Sequence, residues 1–167
     1  SYKPTPTIIE AAKTLFAGHS VKEITRSESG AINLDKTASA ALAAINDAKI
    51  NKKKSLIFIS GVPGSGKTLA GLEIATSSRR ESDSDNEGVF LTGNGPLADV
   101  LREALARDEV ERTGILLPEA MRKAKTFIQN IHHFRDEYLS DTNPPYEKVV
   151  VFDEAQRAWD LEATERF

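Results

Sequence analysis

Gly61-Val62-Pro63-Gly64-Ser65-Gly66-Lys67-Thr68 decides the reading of this chain. The stretch fits G-x-x-x-x-G-K-[ST], the Walker A pattern. Its glycines let backbone amides close around a polyphosphate, its lysine reaches the β and γ phosphates, and its threonine hydroxyl ligates Mg²⁺. Ser55-Leu56-Ile57-Phe58-Ile59-Ser60 ahead of it reads as a buried strand. Leu69-Ala70-Gly71-Leu72-Glu73-Ile74-Ala75 behind it reads as a helix whose N-terminal dipole faces the phosphates. Gly61, Pro63, Gly64, Ser65, Gly66, Lys67, Thr68 and Leu69 are therefore the expected nucleotide-binding residues, with ATP and Mg²⁺ as the expected cofactors. An ordinary glycine-rich turn is the competing reading, and the strand-turn-helix context argues against it.

A phosphate loop needs an acidic residue at the end of a second strand, and Lys148-Val149-Val150-Val151-Phe152-Asp153-Glu154 has that form. Four apolar residues in a row predict a strand covered on both faces of a parallel sheet. Asp153 would stand at its carboxyl end, where ligands gather in such sheets, and would hold Mg²⁺ together with Thr68. Glu154 supplies a second carboxylate able to take a proton from water attacking the γ phosphate, which points to hydrolysis rather than phosphoryl transfer. The plainer reading is an acidic helix start favoured by the helix dipole.

Asp153-Glu154-Ala155-Gln156 resembles motif II of superfamily 1 helicases and translocases. Three segments narrow the resemblance: the glycine loop, then Val89-Phe90-Leu91-Thr92-Gly93-Asn94-Gly95-Pro96-Leu97, then Phe152-Asp153-Glu154-Ala155-Gln156-Arg157-Ala158-Trp159. Together they look like the Schlafen group 3-like DNA/RNA helicase domain. That resemblance implies an α/β P-loop NTPase fold, RecA-like, a three-layer parallel sheet with helices on both faces. It also implies that Gln156 couples nucleotide state to a nucleic-acid site, that Lys67, Glu154 and Gln156 carry catalysis, and that DNA or RNA and a second RecA-like domain are partners. By the same analogy the turn at Asn94, with the amides of Gly93 and Gly95, is a candidate for backbone phosphate contact; a plain strand-turn-helix connection fits it equally. Such helicases carry a glutamine upstream of the phosphate loop that reads adenine. Here the only glutamines are Gln129 and Gln156.

The 167 residues suffice for one domain with a sizeable core. A net charge of -3 argues against avid nucleic-acid wrapping by this chain alone. With no cysteine, disulfides and Cys-based zinc sites are excluded, which suits a reducing compartment. No signal peptide and no apolar run of about 18 residues is visible, so the expectation is a cytoplasmic protein that does not enter membrane.

The organisation follows from punctuation. Residues 1–50 read as a helical lead-in: Thr5-Pro6 opens a helix with Ile8, Ile9, Ala12, Leu15 and Phe16 as its stripe, and a second helix runs from Leu34 to Ala48 with Asn33 as cap. Residues 51–167 read as a first RecA-like ATPase domain, truncated after the Walker B strand. Lys49 to Lys54 reads as a solvated turn, Ser77 to Glu87 as a surface loop, Gly88 to Thr92 as a strand and Pro96 to Arg107 as a helix. A long helix from Pro118 is predicted, with Met121, Ala124, Phe127, Ile128, Ile131, Phe134 and Tyr138 on one face. His132 and His133 point about 100° apart on it, each with a carboxylate four residues on, which favours local ion pairing over metal binding. As a family pattern, P-loop folds with an acidic pair after Walker B carry an extra strand between the Walker A and Walker B strands, and Ala155 to Phe167 offers none. The sheet is therefore expected to be incomplete here.

Three functions compete. The leading one is the ATP-hydrolysing motor half of a helicase- or translocase-like enzyme. A nucleotide-gated switch or scaffold that never touches nucleic acid is favoured by the acidic balance. A small-molecule kinase would need an arginine-rich lid, for which Arg79 and Arg80 are too little.

Overall fold

The computed structural model describes residues 7–19, 28–80, 88–141, 143 and 145–155. Thr7 opens α1 (Ile8–Phe16) with a reciprocal cap: its hydroxyl accepts from the Glu10 N–H, and the Glu10 carboxylate accepts from the Thr7 N–H at 2.7 Å. The expected start at Thr5-Pro6 lies outside the described residues, and the cap is Thr7 because the glutamate that closes the box stands three residues on. Helix α2 (Glu28–Ile50) starts earlier than expected, so Asn33 lies inside it and caps nothing. The alanine-rich run that follows carries enough helix propensity to absorb one asparagine.

Helix α3 (Lys67–Arg80) follows the glycine loop and continues beyond Ser77, where a loop was expected; of that loop only residues 81–87 remain, outside the described set. Strand β1 (Gly88–Thr92) is as expected. Asn94 then caps α4 (Gly95–Thr113), its Oδ1 accepting from the Leu97 N–H, and Pro96 sits in the first turn. That helix outruns the expected end at Arg107 and stops at Gly114, whose φ of 74° is the left-handed cap.

The next segment departs most from its periodicity. In place of one long helix there are α5 (Leu117–Phe127), a short strand β2 (Ile128–Asn130) and α6 (Ile131–Ser140). At Ile128 the backbone turns extended, with φ -101° and ψ 112°. Residues 128–130 then pair in parallel with Phe90, Leu91 and Thr92. Ladder hydrogen bonds and complete burial of Ile128 outweigh continuation of the helix, and the Asn130 side chain restarts it by accepting from the His132 N–H.

Strand β3 (Val149–Asp153) pairs with β1 on the other side, giving a parallel sheet of order β2-β1-β3 flanked by helices. Every residue of β1 is buried, so this central strand is covered on both faces. Phe90, Phe127, Leu72, Leu101, Leu105 and Ile128 are fully buried beneath the helices. Each such side chain contributes about 1.5–3 kcal/mol. Helix α3 lies almost against the sheet: a Cβ on Gly88 would stand 2.2 Å from the Ala75 carbonyl oxygen. Only glycine admits that approach, which fixes the helix that leaves the glycine loop.

Two expectations about the strands are corrected. Residues 55–60 join no strand among the described residues. Leu56 and Phe58 are 79% and 85% exposed, and Ile59 alone packs inward, against the Ala38, Ala41, Ile74 and Val149 cluster. An extended segment becomes a strand only by pairing its amides, and no described strand pairs with this one. Strand β3 is likewise not covered on both faces: Val149 is buried, but Val150 is exposed and the rest half-buried.

The connection into β3 is latched. The Tyr138 hydroxyl donates to Glu147, Gln129 Nε2 donates to the same carboxylate at 3.3 Å, and the Tyr146 N–H donates to the Tyr138 oxygen. Burial and the Glu147 bond push the Tyr138 phenol up from 10.0 to about 12. A raised phenol pKa means that the folded state keeps a proton the unfolded state has lost. Stability is therefore fully present below pH 10.0 and declines as pH rises toward about 12. Tyr138→Phe should remove that part of the alkaline loss, read as a smaller fall in unfolding temperature over the same pH range.

Candidate functional site

Two of the expected elements meet. Thr68, in the first turn of α3, donates its hydroxyl to both carboxylate oxygens of Asp153 at the carboxyl end of β3, at 3.1 and 3.3 Å. The contact spans 85 positions of sequence. It exists because α3 lies flat on the sheet and both the helix start and the strand end fall at the same edge. Burial pushes the Asp153 carboxyl up from its ordinary value of 3.8; the Thr68 hydrogen bond opposes this, and the neighbouring Glu154 charge adds to it.

The loop that leads to Thr68 is shaped by its glycines. Gly64 and Gly66 have φ of 78° and 85°, and a Cβ on Gly66 would stand 2.7 Å from a Leu34 methyl. Any other residue at 66 would be strained in backbone and would collide with α2. Lys67 folds back over the loop, its ammonium donating to the carbonyls of Gly61 at 2.8 Å and Val62 at 2.9 Å, with Ser65 Oγ at 3.5 Å. A charged amine thus sits over a ring of backbone, at the start of a helix whose first N–H groups have no intrahelical acceptor. Gly61, Pro63, Gly64 and Ser65 are all exposed along this ring. The Leu69 side chain instead packs against the main core, leaving only its backbone to face the loop.

Glu154 follows Asp153 with a φ of 54° and is exposed. The left-handed conformation is unfavourable for a glutamate and costs on the order of 1–3 kcal/mol, a kind of strain that concentrates at working sites. Gln156 lies outside the described residues. Among the described residues no group of three or more His, Cys, Asp or Glu is placed to hold a metal, and the expected histidine ion pairs do not form: Asp136 pairs with Arg135 at 2.7 Å. The hydroxyl and carboxylate of Thr68 and Asp153 are the donor chemistry of Mg²⁺, an ion that commonly takes one or two protein oxygens and fills its shell with water and phosphate.

What the sequence missed is the opposite wall. A cavity of about 400 Å³ opens between the loop and α2, lined by Gly61, Ser65 and Lys67 on one side and by Asn33, Leu34 and Thr37 on the other. Leu34 was legible as a member of an apolar stripe. Nothing in the local pattern says that the stripe closes on Gly66. Asn94, for its part, spends its side chain on capping α4.

A parallel α/β sheet with a glycine loop and an acidic strand end joined at one edge defines a class of ligand-binding domain whose site lies where strands end and helices begin. Within that class the chain belongs to the Schlafen group 3, DNA/RNA helicase domain family, which its residues 54–167 match. Neither a curated protein nor a solved structure matches significantly. No helix among the described residues is long and apolar enough to cross a membrane.

The Asp153 environment has a stability consequence. With its pKa raised, the folded state holds the proton more tightly than the unfolded one, so stability falls as pH climbs from 3.8 through the folded value. Asp153→Asn keeps the Thr68 acceptor and deletes the charge. It should raise the melting temperature at neutral pH by on the order of a few degrees.

Proposed function

We propose that this chain binds and hydrolyses ATP as the motor half of a helicase- or translocase-like enzyme acting on nucleic acid. The observation that carries the reading is the Thr68–Asp153 contact, which joins the glycine loop to the acidic strand end. In this reading Gly61, Pro63, Gly64, Ser65, Gly66 and the amide of Leu69 surround the phosphates. Lys67 releases the loop carbonyls and turns its ammonium to the β and γ phosphates. Thr68 and Asp153 hold Mg²⁺, which when bound supplies charge neutralisation at the transferring phosphate. Glu154, one residue beyond Asp153, takes the proton of the attacking water. Gln156 is the coupling residue by family resemblance. The family match supports a helicase-related role, and a second RecA-like domain is the proposed partner.

The second reading, a nucleotide-gated switch, is favoured by the net charge of -3. ATP hydrolysis measured with and without single-stranded DNA or RNA separates the two: stimulation is expected for the motor, and hydrolysis indifferent to both would select the switch. The site itself is tested by Lys67→Ala. Loss of a charge-assisted phosphate contact should weaken Mg²⁺-ATP binding by roughly 1.5–3 kcal/mol in calorimetry, and unchanged affinity would remove Gly61 to Thr68 from the site.

A further inference from the structure

We propose that α2 is the base-reading wall of the cavity, and that Asn33 and Thr37 select an adenine nucleotide whose phosphates rest on Gly61 to Thr68. The proposal builds on the nucleotide reading above. It assigns a role to a helix that contains no recognised motif.

The cavity of about 400 Å³ lies within the usual range for small-ligand sites. Its floor is the loop with Lys67, and its far wall is α2. That wall is anchored. Leu34 is buried and its methyls close on Gly66, while Ala38 and Ala41 are buried with Ile74 of α3. The helix therefore cannot slide along the loop without uncovering this cluster. Asn33 and Thr37 stand four residues apart, so they lie one turn above each other on one face, and both line the cavity.

Their chemistry suits a purine edge. The Thr37 hydroxyl donates to the Asn33 carbonyl at 2.8 Å, so what it offers the cavity is an acceptor. The Asn33 amide offers a donor and an acceptor side by side, which pairs with adenine N7 and N6 in two parallel hydrogen bonds. Guanine presents two acceptors on that edge and cannot satisfy the amide oxygen. Leu34 and Ile59, also in the lining, give a flat ring apolar contact on its faces.

Calorimetry of the chain with Mg²⁺ and three probes, ATP, GTP and inorganic tripolyphosphate, tests this. The parent should bind ATP about tenfold more tightly than either of the others. Asn33→Ala combined with Thr37→Ala should lower ATP affinity about tenfold, to that of GTP, and leave tripolyphosphate binding unchanged, which also shows that the loop remains folded. Both changes sit on a helix surface where alanine raises helix propensity. A parent that does not distinguish ATP from GTP, or a double variant that keeps the distinction, overturns the proposal while tripolyphosphate binding leaves the phosphate loop assigned. Loss of tripolyphosphate in the variant also overturns it, since the residues would then act through the loop. Failure of all three probes to bind the parent removes the nucleotide reading and this one with it.

Discussion

Replacing Glu154 by glutamine is expected to leave Mg²⁺-ATP affinity within the error of the parent while turnover in the hydrolysing enzyme falls by roughly 10²-fold or more. The asymmetry follows from position. Asp153 is half-buried at the strand end and bound to Thr68, which in the proposed reading puts it on the metal side of the site, whereas Glu154 is exposed one residue beyond and held at a φ of 54°. The turn rotates the second carboxylate away from the direction it would take in a continued strand. A glutamine retains the shape and the hydrogen-bonding oxygen but cannot accept a proton. Equilibrium binding and single-turnover hydrolysis, measured on the same preparation, separate the two effects. Parallel losses in both would mean that Glu154 shapes the site, and unchanged turnover would exclude it from the chemistry.

Hydrolysis by the 167-residue chain alone is expected to run roughly 10³–10⁵-fold below that of an assembly that presents an arginine to the γ phosphate. The nearest arginines in sequence are used elsewhere. The Arg79 guanidinium lies 5.6 Å from the centre of the Phe127 ring and bonds Thr126, and Arg80 donates to the Gly18 carbonyl at 2.6 Å. Arg102 donates to the Ile128 carbonyl at 2.8 Å and so secures β2. None of these three faces the glycine loop. In the proposed reading the second cation comes from a partner. Turnover at about 1 per second or faster by the purified chain would show that it already holds its own cation and would favour the self-contained switch.

Local chemistry made much of this site legible. Gly64 and Gly66 are glycines because the loop needs positive φ there, and such a need shows in sequence whatever surrounds it. The strand Gly88–Thr92 reads correctly because a buried parallel strand is apolar throughout. The helix from Gly95 reads correctly because Asn94 and Pro96 are a start signal that acts within one turn. Asp153 is placed correctly for the same reason, as the first acidic residue after an apolar run.

The failures share a cause. Ile128 fits the helical stripe of Phe127 and Ile131 as well as it fits a strand, and only the proximity of β1 turned three residues into β2. The apolar run Leu56 to Ile59 satisfies every local test for a strand and is none here, since a strand is a relation between two segments. Asn33 looked like a cap because the residues before it carry no apolar period, yet helix propensity does not need one.

By itself, then, the sequence determined the glycine-loop pattern, the acidic pair and the parallel α/β class, all of which rest on backbone conformation or on periodicity within a few residues. Tertiary structure alone decided which strands pair, that Thr68 meets Asp153 across 85 positions, and that Leu34 brings α2 down onto Gly66 to wall the cavity. Those are contacts between segments remote in the chain. Their free energy comes from burial and hydrogen bonding realised only when the whole core assembles, so no short window of residues encodes them.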